Sequence, residues 1–217
     1  MKHDYGIYLV TDPAQCGTCG VVDTVREAVA GGVRTVQIRA KTMTAAALLE
    51  QIVAVADAVA GQATILVNDR VDAYLAARVQ GAAVQGVHIG QDDLPAAAVR
   101  AMIGPDAILG LTANTPAHLD AAHALASGTV DYFGVGAIRA TATKPDHPDA
   151  LGADGFAALA RTTELPCVAI GGIQATDVAA LRAGGASGVA VVSAICAADE
   201  PQRAARELTT QWQGEQP

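Results

Sequence analysis

Thr35-Val-Gln-Ile-Arg39, then the Ala- and Leu-rich run Ala45–Ala60, then Thr64-Ile-Leu-Val-Asn68, reads as one β-α-β unit. The flanking runs are short and rich in β-branched residues, which suit a pleated, buried backbone. The run between them has helical length and consists of good helix formers. Two strands joined by a helix lie parallel in one sheet. The same alternation extends in both directions. Gly6–Thr11 precedes the unit, and Gly86–Gly90, Ile108–Thr112, Tyr132–Gly136, Cys167–Gly171 and Gly188–Val192 follow it, with helical segments such as Pro116–Ala126 between. Eight βα units predict a closed (β/α)8 TIM barrel. A doubly wound sheet would want a Gly-x-Gly-x-x-Gly turn after its first strand, and Val10-Thr-Asp-Pro-Ala14 is not one. No Pro- or Ser-rich linker divides the chain, so one domain over 1–217 is expected, with residues 213–217 frayed after Trp212. The longest irregular stretch runs from Arg139 to Ala150, and long loops in such folds are often functional.

The chain has 217 residues, near the lower limit for this fold, and is 51% hydrophobic and 17% charged. With aromatics at 3%, the core must come from Ala, Val, Leu and Ile, which suits strands buried on both faces. The formal net charge of -8 makes nucleic acid and acidic membranes poor partners. No apolar run reaches membrane-spanning length and no secretory signal is visible, so a cytoplasmic location is expected. Cys16 and Cys19 have C-x-x-C spacing and Cys196 follows the last strand; a zinc or redox site competes there with a plain small-residue loop. Lysine is used only at Lys2, Lys41 and Lys144, against eleven arginines. A lysine inside the fold is then a compact point charge where a planar fork would not serve.

Barrel active sites lie at the C-terminal strand ends. Gln37, Arg39 and Lys41 are spaced i, i+2, i+4, which on a strand puts all three on one face at the barrel mouth. Two inward cations in an acidic protein suit a phosphate or diphosphate; ion pairing with barrel carboxylates is the plainer alternative. Asp69 and either Asp92 or Asp93 end adjacent strands and suit Mg²⁺, although Asp69 also suits capping of a helix near Val71. Ile170-Gly-Gly-Ile173 and Val191-Val-Ser-Ala194 suit a phosphate held after strands seven and eight. His88 reads as a hydrogen-bonded core residue, and His3, His118, His123 and His147 as surface residues. Among these groups no Ser-His-Asp set or nucleophilic cysteine is evident.

Taken in order, the motifs closely resemble the thiamine-phosphate synthase family. They are Tyr8-Leu-Val-Thr-Asp12, Val36-Gln-Ile-Arg-Ala-Lys41, Val67-Asn-Asp69, Gly86–Asp93, Asp131–Gly136, Thr141-Ala-Thr-Lys144, Ala169–Ile173 and Gly188–Ser193. The resemblance implies a Mg²⁺-dependent transferase that joins a pyrimidine diphosphate to a (carboxy)thiazole phosphate and releases pyrophosphate. It implies that Gln37, Ile38, Arg39, Ala40, Lys41, Asn68, Thr112 and Lys144 hold the pyrimidine diphosphate, with Arg39, Lys41 and Lys144 catalytic. It gives Mg²⁺ to Asp69 and Asp93, and the thiazole phosphate to Thr141, Ala142, Thr143, Gly172, Val192 and Ser193. A homo-oligomer is implied as well. A thiazole tautomerase on the same fold, or a non-catalytic binder of thiamine phosphate, would need no diphosphate and metal apparatus. Thr112 stands where the family usually has Ser, and Asn114 where His is common. Ala137, Arg139 and Ala140 replace a Pro and an aromatic-Pro pair. Arg139 is therefore expected either to touch the thiazole partner or to be a loop arginine paired with Asp146 or Asp149.

Overall fold

A computed structural model describes residues 4–140 and 150–214. The eight strands are β1 (Gly6–Val10), β2 (Thr35–Ile38), β3 (Thr64–Asn68), β4 (Gly86–Ile89), β5 (Ile108–Thr112), β6 (Tyr132–Val135), β7 (Cys167–Ile170) and β8 (Gly188–Val191). They pair in sequence order, and β8 closes on β1 with Tyr8 opposite Ala190. All pairs are parallel. Between the strands run α1 (Gly20–Ala30), α2 (Ala45–Val59), α3 (Val71–Val79), α4 (Ala96–Ile103), α5 (Pro116–His123), α6 (Gly152–Ala160) and α7 (Ala175–Ala183). The one-turn α8 (Ser193–Cys196) and the longer α9 (Pro201–Gln213) follow β8. This is the expected (β/α)8 TIM barrel.

Strand alternation divides the core in two. Val36, Ile38, Ile65, Val67, Val87, Ile89, Leu109, Phe133 and Val189 point outward and pack beneath the helices. Tyr8, Val10, Leu66, Tyr132, Val168 and Ala190 point inward and fill the barrel. Helix starts follow local chemistry. Thr44 caps α2 by accepting from the Ala47 N–H at 3.3 Å. Thr115 caps α5, whose first residue is Pro116. α9 lies against α1, where a Cβ on Gly31 would come 2.7 Å from that of Ala205. Trp212 anchors the end of α9 with the Arg182 guanidinium 5.9 Å from its ring centre.

Several boundaries differ from the sequence reading. β1, β2, β4, β6, β7 and β8 each end one residue early. Helix α5 stops at His123 rather than Ala126. Gln213, expected to fray, is the last residue of α9, whose buried Trp212 holds it down. No helix among the described residues is long and apolar enough to cross a membrane.

Candidate active site

A buried polar row forms the floor of the barrel mouth. The Gln37 carboxamide donates through Nε2 to the Tyr8 hydroxyl at 2.8 Å. The Tyr8 and Tyr132 hydroxyls are 2.9 Å apart. His88 Nδ1 lies 2.9 Å from the Tyr132 hydroxyl, and its Nε2 lies 3.1 Å from Thr112 Oγ1. Burial pushes both phenols well above the usual tyrosine value. Space for these rings comes from glycines on β5 and β6. A Cβ on Gly134 would lie 2.9 Å from His88 Cε1, and one on Gly110 would overlap the Tyr132 ring. Gln37 is the last inward residue of β2, and Asn68 and Thr112 end β3 and β5. His88 is a hydrogen-bonded core residue, as read from the sequence. Tyr8 and Tyr132 carried no role in that reading. The signal for them was an aromatic at an inward position beside inward glycines.

Above the floor stand the cations, with one correction. Only Gln37 lies on β2; Arg39 and Lys41 follow its end, so the three do not share one strand face. Arg39 is fixed by its backbone, whose N–H donates to Thr11 Oγ1 at 3.0 Å. Its guanidinium approaches Asp12 at 3.7 Å, which is the ion pairing weighed above, supplied by the β1 loop. Lys41 is exposed and close enough to draw the Asp69 carboxyl down. Ile38 is fully buried among the outward residues, so it offers the mouth only its backbone. Ala40 packs against the same core.

Asp69 follows β3 with φ +58°, a conformation open mainly to Gly, Asn and Asp. Its N–H donates to the His88 carbonyl at 2.8 Å, which ties the turn to β4. No side-chain cap of α3 is present, so the capping alternative fails. The Asp69 carboxyl instead lies close enough to Asp93 to feel its charge. Its carboxyl is pushed up to about 6, first by burial and then by the charge of Asp93. Asp93 is positioned by accepting from the Gly90 N–H at 2.6 Å. Asp93 is the carboxylate whose charge Asp69 feels.

On the opposite side, Gly171 and Gly172 have φ of +101° and +65°. The segment after β6 lies against them. Ile138 N–H donates to the Ile170 carbonyl at 3.0 Å and Arg139 N–H to that of Gly171 at 2.9 Å. A Cβ on Gly172 would come 2.8 Å from that of Arg139, so glycine is required there. Val192 and Ser193 enter at the same end, Val192 half-buried and Ser193 exposed at the start of α8. The Arg139 guanidinium is gripped by Asp177 through hydrogen bonds of 2.9 and 2.6 Å. Asp177 also accepts from the Gln174 N–H at the start of α7. Thr141, Ala142, Thr143, Lys144, Asp146 and Asp149 lie outside the described residues.

Asn114 is occupied within the loops, where its Oδ1 accepts from the Gly136 N–H at 3.1 Å. His118, expected on the surface, is half-buried, with Nδ1 accepting from the Asn114 N–H at 3.3 Å. Cys16 and Cys196 are buried beside one another, and the Cys196 thiol draws the Cys16 thiol down to about 7. Cys19 is exposed. Among the described residues no cluster of three or more His, Cys, Asp or Glu side chains could hold a metal ion.

A (β/α)8 barrel with cations, paired carboxylates and a glycine-lined edge at one mouth defines a phosphate-handling barrel enzyme. The comparisons narrow the class. The family model for thiamine monophosphate synthase matches residues 7–195, and the chain belongs to that family. The thiamine-phosphate synthase of Azorhizobium caulinodans is 46% identical over 95% of this chain and 94% of its own. That of Natronomonas pharaonis is 39% identical over 100% and 99%. The solved thiamine phosphate pyrophosphorylase of Pyrococcus furiosus superposes with a TM-score of 0.83 at 26% identity, covering 97% of this chain and 96% of the other.

Proposed function

We infer that this chain is a thiamine-phosphate synthase. It joins 4-amino-2-methyl-5-(diphosphooxymethyl)pyrimidine to a thiazole ethyl phosphate, with or without a carboxylate, and releases pyrophosphate. The observation that carries this reading is Lys41 beside the Asp69–Asp93 pair, with Arg39, held toward Asp12, two residues before it after β2. A tautomerase or a thiamine-phosphate binder has no use for that set.

The two carboxylates fit Mg²⁺. They are hard oxygen donors pressed together, and two protein ligands suffice for an ion that keeps waters and takes substrate phosphate oxygens. When bound, Mg²⁺ supplies positive charge against the leaving pyrophosphate. The chain's own groups do the rest. Arg39 and Lys41 stand where negative charge gathers as the C–O bond breaks, and Lys144 joins them by the family resemblance. Gln37, Asn68 and Thr112 orient the pyrimidine. Gly172, Val192 and Ser193, with Thr141, Ala142 and Thr143, hold the thiazole phosphate so that its ring nitrogen faces the methylene carbon. The aminopyrimidine stabilises a methylene cation itself, so no protein nucleophile is needed. A homo-oligomer in the cytoplasm is part of the same reading. The test is pyrophosphate release by the purified protein, which should require both substrates and Mg²⁺. Release from the pyrimidine diphosphate alone, or none at all, would refute it.

A further inference from the structure

The loop that leaves β1 wraps the residue that leaves β2. Ladder pairing holds β2 on one side as far as Gln37, opposite Val10, and on the other as far as Ile38, opposite Val67. One more main-chain bond follows, from the Thr11 N–H to the Gln37 carbonyl at 2.9 Å. Arg39 lies beyond it, and there the Thr11 side chain takes over from the ladder. Its hydroxyl accepts from the Arg39 N–H at 3.0 Å and donates to the Arg39 carbonyl at 3.4 Å. One hydroxyl can do both at once, and Thr11 is fully buried. Asp12 meets the other end of the same residue, 3.7 Å from the guanidinium. That carboxylate is itself fixed. Its Oδ1 accepts from the Ala14 N–H at 3.0 Å, and its Oδ2 from Gln15 Nε2 at 3.2 Å. The Asp12 carbonyl accepts from the N–H groups of Gln15 and Cys16, which closes the loop into a turn. The Arg39 and Asp12 side chains are only 16% and 20% exposed, so solvent screens the pair incompletely.

We propose that Thr11 and Asp12 are positioning residues that clamp Arg39 for the diphosphate, one at its backbone and one at its guanidinium. The inference rests on the reading of Arg39 as a diphosphate-binding residue. A long side chain just past a strand end would otherwise have to be ordered by the ligand, and that ordering would weaken binding. The clamp orders it beforehand. For Asp12 this role runs against its charge. A carboxylate close to an anion site repels the anion, so its presence helps only if fixing the cation outweighs the repulsion.

The experiment titrates the full chain with inorganic pyrophosphate in excess Mg²⁺, and melting curves confirm that each variant folds. The variants are Thr11→Val, Thr11→Ser, Asp12→Asn and Arg39→Ala, with Thr11→Val and Asp12→Asn each also combined with Arg39→Ala. Val keeps the branched shape and deletes the hydroxyl; Ser keeps the hydroxyl. Arg39→Ala should weaken pyrophosphate binding about tenfold or more. Thr11→Val should weaken it about fivefold or more, and Thr11→Ser should stay within about twofold of wild type. Asp12→Asn should weaken it about threefold or more, against the tightening that charge alone predicts. On Arg39→Ala neither substitution should weaken binding further by more than about twofold, because the clamp then has nothing to hold. Where Thr11→Val does not fold, Asp12→Asn decides. The proposal is overturned by an Asp12→Asn that binds as wild type or tighter, or by a folded Thr11→Val at wild-type affinity. It is equally overturned by a Thr11→Ser as weak as Thr11→Val, or by losses that persist on Arg39→Ala. An Arg39→Ala that binds pyrophosphate like wild type fails the underlying reading, and the proposal with it.

Discussion

Asp69 is held in a left-handed backbone conformation, half-buried, against a second carboxylate. Such strain is characteristic of functional positions. Asp69→Asn is the cleanest probe, since Asn tolerates the same φ and only the charge is lost. Loss of an outer-shell partner already costs roughly 10–100-fold, so losing a ligand carboxylate should lower turnover by at least about 100-fold while the fold persists; wild-type rates at low Mg²⁺ would refute its role. The same variant should stabilise the metal-free protein. The folded carboxyl sits at about 6 against an ordinary 3.8, so the folded state holds the extra proton between those values. Stability therefore falls as pH rises through that window, and the full penalty stands above it. With chelator present, Asp69→Asn should melt above wild type at pH 7.5 and lose that part of the pH dependence; melting below wild type at pH 7.5 would contradict the account. Arg139 is a different case. Its guanidinium is half-exposed and already gripped by Asp177, a pair worth roughly 0–1 kcal/mol. Arg139→Ala should change kcat/KM for carboxylated and decarboxylated thiazole phosphates equally and slightly. A tenfold fall confined to the carboxylated substrate would show that Arg139 leaves Asp177 to grip it.

At the scale of elements, glycines set how closely the parts approach. Gly31 is where α9 touches the end of α1, and any Cβ there would press on the Gln202 carbonyl and Ala205. Gly31→Ala should cost roughly 1–3 kcal/mol by overpacking, read as a lowered Tm with kcat preserved, because the mouth lies elsewhere; an unchanged Tm would show that α9 shifts freely. The elements themselves were legible in the sequence. Eight runs of β-branched and aliphatic residues alternate with Ala-rich segments, and hydrophobic patterning reports such periods directly. Strand ends were less legible, since Arg39 continues the alternation begun by Thr35 and Gln37 although β2 has ended. The inward tyrosines were missed for a related reason. Tyr8 and Tyr132 read as core aromatics, and their link through His88 exists only once β1, β4 and β6 face one another across the barrel. Asp93 was separable from Asp92 by family resemblance alone; that its carboxylate accepts from the Gly90 N–H is visible only in the fold.

The whole molecule is a closed barrel with an acidic surface and one mouth where positive charge, paired carboxylates and glycine-lined backbone converge. Closure brings the first and last strands together, so that residues far apart in sequence reach the same end. The barrel's outer core holds the shape, and the inner core carries a polar row of Gln37, Tyr8, Tyr132, His88 and Thr112. The central claim is that this mouth joins two phosphorylated rings with loss of pyrophosphate. It is tested most directly by following pyrophosphate and thiamine phosphate together in one reaction, from the purified protein, Mg²⁺, the aminopyrimidine diphosphate and the thiazole phosphate. The account predicts that both products appear in equal amounts, and that omitting either substrate abolishes both. Pyrophosphate formed without thiamine phosphate would mark a hydrolase, and neither product would mark a binder; each result would contradict the account.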